Sequence, residues 1–187
     1  TLEDEDDPAA KGAELATELA SALNSAAICL QETGRIDQAL PKLLRSIELY
    51  EVVLGPKHAF VGIGHHNLGL VRHSMGQLEP ARRSLEISVQ VCTHSIGTLH
   101  ADSRAALDSL RGILNEQGVA PESCAVLSEA EQQVMEDATR LLQVHLRLRQ
   151  RRWRLTGASH GGHQLPAPPP RHLRAQARVS FSQRGLP

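Results

Sequence analysis

Ten histidines and three cysteines are the residues of this 187-residue chain best suited to chemistry, and their spacing limits what they could do. His66 and His73 stand seven residues apart, so on a helix they share a face, while His65 lies on another. Two imidazoles could begin a zinc site, but further ligands are needed, and the nearby Cys92-Thr93-His94 matches no common ligand spacing. Cys29, Cys92 and Cys124 are odd in number and contain no CxxC, which argues against both a disulfide framework and structural zinc, and for a reducing setting. The chain has no Gly-x-Ser-x-Gly elbow, no Gly-x-x-x-x-Gly-Lys phosphate loop and no HExxH. The expectation is a non-enzyme without catalytic residues, metal or cofactor.

The elements that carry these residues show themselves through a repeat. Gly34, Gly76 and Gly118 are 42 residues apart, as are Ala39 and Ala81, Gly55 and Gly97, and His58 and His100. The apolar positions keep the same step: Leu43, Leu85 and Leu127; Ile47 and Val89; Cys29, Val71 and Ile113. Within each period the spacing predicts helix, tight turn, helix and loop. A first helix over about Glu14 to Glu32 places Leu15, Leu19, Leu23, Ala26, Ala27 and Leu30 at intervals of three and four, and Gly34 ends it. A second opens near Asp37 and stops before Gly55-Pro56. The scheme recurs over about Ala59 to Met75, Leu78 to Thr93 and Ala101 to Gln117. Helical spacing returns from Val126 to Leu148, with Ser128 and Glu131 as a capping box. Recurring His58 and His100 suggest a structural role, such as bonding a loop carbonyl.

Aromatic residues make up 2% of the chain against 41% for hydrophobic residues as a whole, which suits thin helix-on-helix packing and argues against a β-sandwich. Residues 147–187 hold nine arginines and no acid, leaving 11 basic against 21 acidic residues, a net charge of −10, over the first 146. The chain therefore divides into an acidic disordered leader (1–10), a helical array (11–150, in units of about 17–58, 59–100 and a degenerate 101–150) and an Arg-, Pro- and Gly-rich disordered tail (151–187). No stretch approaches the roughly 20 apolar residues of a membrane span, and the acidic opening is the reverse of a signal peptide, so the expected location is cytoplasmic, with association to the cytoskeleton as a further option. A start at Thr1 rather than Met fits a piece of a longer array.

Asn67-Leu68-Gly69, Gly76, Pro80-Ala81, Leu85-Glu86-Ile87 and the loop Leu54-Gly55-Pro56-Lys57-His58 resemble the tetratricopeptide repeat, in the long 42-residue form of kinesin light chains and nephrocystin-like proteins. Ala27 and Gly69 match the small residues where paired helices touch, and the resemblance runs from about Ala16 to Gly118. It implies an all-α fold: an α-α superhelix of two full repeats, a partial third and a capping helix that closes the apolar end. Ser123 in place of the third Ala marks the degenerate unit.

The resemblance also implies a concave groove lined by the first helices: Asn24, Ser25, Ile28, Gln31, Ile63, His66, Asn67, Leu70, His73, Asp108, Ser109 and Asn115. None of these is Lys or Arg, so clamping of a carboxylate terminus is not expected there. Hydrogen bonding to a peptide backbone with small apolar pockets at Ile63 and Leu70 fits better. The expected function is a protein-interaction scaffold with a protein or peptide partner. The second reading is a nucleic-acid-associated or acidic-partner-binding factor acting through the Arg-rich tail, whose phosphate contacts would weaken steeply with salt.

Overall fold

The computed structural model describes residues 8–156, and all of its regular structure is helical. Six α-helices run in order, α1 (Pro8–Glu32), α2 (Ile36–Leu54), α3 (Ala59–Ser74), α4 (Leu78–Ser95), α5 (Ala101–Glu116) and α6 (Ala125–Thr156), with a 3-10 turn at Pro121–Ser123 before the last. They form three consecutive hairpins, α1/α2, α3/α4 and α5/α6.

Each hairpin turns by the same device. At the end of α1 the Arg35 N–H donates to the Leu30 carbonyl at 2.8 Å; the bond recurs one period on, from Gln77 to the Arg72 carbonyl at 2.9 Å, and again from Val119 to the Leu114 carbonyl at 2.9 Å. The residue that allows it is glycine, with φ of 75° at Gly34, 72° at Gly76 and 68° at Gly118, a region side chains disfavour. The next hairpins start by a shared cap: Nδ1 of His58 accepts from the Phe60 N–H at 3.2 Å, and Nδ1 of His100 from the Asp102 N–H at 3.3 Å. The histidines thus satisfy an orphan helix donor rather than bonding a loop carbonyl, because the first turn leaves its N–H groups open.

Boundaries differ from the sequence reading in three places. Helix α1 begins at Pro8, inside the segment read as leader, since proline is pre-shaped for the first helical position. Helix α6 begins at Ala125, three residues before Ser128, whose hydroxyl donates to the Glu122 carbonyl at 3.3 Å, so Ser128 and Glu131 form no capping box. It continues through 151–156, read as tail, where Arg and Leu favour helix and the first breaker is Gly157. Residues 1–7 of the leader and 157–187 of the tail lie outside the described residues. The chain divides after Gln143; in the second unit the described part is the end of α6, with Val144, Leu146 and Leu148 exposed.

The core falls into two clusters. One joins α1, α2 and α3 through Ala27, Leu43, Ile47, Tyr50, Leu68 and Val71; the other joins α4, α5 and α6 through Leu85, Val89, Leu107, Leu110, Leu114 and Leu127. Leu43, Leu85 and Leu127, on successive second helices, are all fully buried. Close approach depends on small residues: a Cβ on Gly64 would stand 2.7 Å from Cγ1 of Ile47, and one on Gly69 2.7 Å from Cγ of Leu85. The third hairpin departs here. Arg104 and Arg111 occupy the 42-step positions of Ala20/Gly62 and Ala27/Gly69, and Glu131 that of Ile47/Val89. Ala130 and Leu127 still pack on the α4–α5 cluster, so the first part of α6 covers its apolar end.

Candidate partner-binding face

Helices α1, α3 and α5, the first of each hairpin, lie beside one another. Side chains bridge them in two rows. In one row the Asn67 amide donates to Asn24 Oδ1 at 2.9 Å, and His66 Nε2 meets Ser109 Oγ at 3.0 Å. Two turns further along, the Gln31 amide donates to Ser74 Oγ at 3.3 Å and His73 Nε2 meets Glu116 Oε2 at 2.8 Å. All four bonds span 43 residues, one more than the repeat, so each rung ties a column of one hairpin to the neighbouring column of the next.

Of the twelve residues expected to line a groove, Asn24, Gln31, His66, Asn67, His73 and Ser109 are joined in these rungs. Ile28, Ile63 and Leu70 are half-buried, whereas Ser25 and Asn115 are exposed. Asp108 is drawn into an ion pair with Arg111 at 3.0 Å. Sequence reasoning missed the partners Ser74 and Glu116; the signal for them is the offset of one from the period, which links unlike residue types. Between the rows, again 42 residues apart, stand Ile28 on α1, Leu70 on α3 and Gly112 on α5, and nothing lies within 4 Å of where a Gly112 side chain would begin.

Burial acts on the two central histidines in the same direction. It pushes the pKa of His66 below the usual histidine value, against an opposing effect of Asp102, and that of His65 likewise, with Arg72 adding to the effect. Nδ1 of His65 is buried without a partner among the described residues. Cys92 and Cys124 are buried and Cys29 exposed, all three as free thiols, and burial raises the Cys92 pKa. Among the described residues no group of three or more His, Cys, Asp or Glu is placed to hold a metal, and no helix is long and apolar enough to cross a membrane.

Helical hairpins repeated every 42 residues, closed by glycine and joined through small residues, match the tetratricopeptide repeat family model over residues 18–94. Those residues are tetratricopeptide repeats. The match ends before the third hairpin, whose seam carries Arg104 and Arg111. Among solved structures the chain is similar to BtubC (BKLC) from P. vanneervenii, a kinesin light chain-like tetratricopeptide protein, at 16% identity and a TM-score of 0.50, over 80% of this chain and 52% of that one. That likeness concerns the fold, and the chain spans about half the length of that protein. A search of curated proteins found no match. Tetratricopeptide repeats serve in general as protein-interaction scaffolds, typically without enzymatic activity.

Proposed function

We propose that the chain binds an extended segment of a partner protein across α1, α3 and α5, between the two rows of polar rungs. The observation that carries the reading is the line Ile28, Leu70, Gly112: two half-buried apolar side chains and an open position, flanked on both sides by amides, imidazoles and hydroxyls. Rungs hold those polar groups in place before binding, so less rotamer freedom is lost when a peptide backbone pairs with their remaining donors and acceptors. Apolar side chains of the peptide would meet Ile28, Ile63 and Leu70.

Selection of a displayed peptide library on the full chain tests this. Peptides of micromolar affinity are expected, and Gly112→Trp, which fills an exposed position, should weaken them at least tenfold while the circular dichroism stays helical. A library that yields no binder, or binders indifferent to Gly112→Trp, would sink the reading.

The second reading, binding of nucleic acid through the basic end, is favoured by one observation: Arg147, Arg149, Arg151 and Arg152 are exposed on α6 with no acid among residues 147–187. A steep loss of RNA binding with salt would support it.

A further inference from the structure

The third hairpin has a cleft where the other two are closed. In the first, Ser46 Oγ on α2 donates to the Ala20 carbonyl at 2.6 Å, and Ala20 and Ala27 are fully buried. In the second, a Cβ on Gly62 would stand 2.6 Å from Cys92 Sγ. Guanidinium groups cannot be sealed into such a seam without losing solvation, so with Arg104 and Arg111 there α5 and the first part of α6 enclose an open cleft of about 350 Å³.

Its walls are unlike. Leu107, only 5% exposed, Val134 and the 62% exposed Met135 make an apolar side. Arg111 is committed to two carboxylates, Asp108 at 3.0 Å and Glu131 at 2.5 Å. Arg104 also lines the cleft and is exposed, and no carboxylate among the described residues pairs with it. A guanidinium without an ion-pair partner, beside an apolar wall, fits one anionic group next to one apolar group. A polyanion is disfavoured, because Asp108 and Glu131 face the same space and bring the charge of the four side chains to zero.

We propose that the α5–α6 cleft holds a short acidic segment of a partner protein, with a carboxylate on the Arg104 guanidinium and the adjoining apolar side chain against Leu107, Val134 and Met135. Arginine presents paired donors in the geometry of a carboxylate, and this contact fixes the segment's register. The cleft shares with the reading above only that the array binds proteins, and it uses a different surface.

The test is fluorescence polarisation on the full chain with labelled, C-terminally amidated peptides Gly-Ser-Glu-x-Ser-Gly, where x is Leu, Met or Phe, and with counterparts carrying Gln or Lys in place of Glu. At least one Glu peptide should bind ten times more tightly than its Gln counterpart. Arg104→Glu should abolish that preference and favour the Lys peptide, and Met135→Lys should weaken the Glu peptide about tenfold; both positions are exposed, so folding is retained. Gly112→Trp should change nothing. Equal binding of Glu and Gln peptides, no binding up to millimolar concentration, or indifference to Arg104→Glu overturns the proposal. Sensitivity to Gly112→Trp instead of Arg104→Glu would place the peptide between the rungs, which sinks the cleft and leaves the other reading standing.

Discussion

Protonation of His66 would put a positive charge into a site where the imidazole is largely shielded and already bonded to Ser109. Burial lowers the folded-state pKa of His65 and His66 below the unfolded value of about 6.5. Between the two values the unfolded chain binds more protons, so this contribution to stability is complete above about pH 6.5 and is lost as pH falls through the folded-state pKa. The melting temperature should therefore drop between pH 7.5 and pH 5, and His66→Gln should flatten part of that slope. Parallel pH dependences for the two proteins would show that His66 contributes nothing to it. Residue types alone could not reveal this. His66 and His73 stood out in the sequence, but the hydroxyl and carboxylate they meet lie 43 residues on, among many other Ser and Glu.

The helices were largely legible because their signals are local: periodic leucines, a glycine at each turn and a histidine at each restart. The beginning of α6 was not, since Cys124 precedes it without the side-chain cap that the sequence suggests at Ser128. The opened seam of the third hairpin was written at Arg104 and Arg111, but reading it requires knowing which helix faces which. Joints between hairpins show the same dependence on fit. Ile47 meets Gly64, while the positions one period on hold Val89 and Ala106, so a larger residue on one side accompanies a smaller one on the other. Gly64→Ala alone should cost about 1–3 kcal/mol through overpacking. Adding Ile47→Val should restore much of it, read as a coupling in a double-mutant cycle by urea denaturation. Additive effects would mean that the two residues do not share the joint.

At the scale of the molecule, the array up to residue 143 has two core clusters rather than one, α1 to α3 and α4 to α6. In a linear array each hairpin draws its stability from its neighbours, so damage should spread unevenly. Leu43→Ala and Leu110→Ala should each cost about 2–5 kcal/mol, and hydrogen exchange should quicken first in α1–α3 for the one and in α4–α6 for the other. A uniform rise across all six helices would instead show a single cooperative block. The rungs bear on how such a chain could change length. Losing residues 59–100, one period, would bring Asn24 opposite Ser109 and Gln31 opposite Glu116. Each new pair still sets a donor against an acceptor. The apolar joint would not survive intact: Ile47 would meet Ala106, a methyl too full, and Tyr50, whose ring now lies against Phe60, would meet Asp102. On its polar face, then, the chain is built so that a copying error of one whole period leaves no broken bond behind.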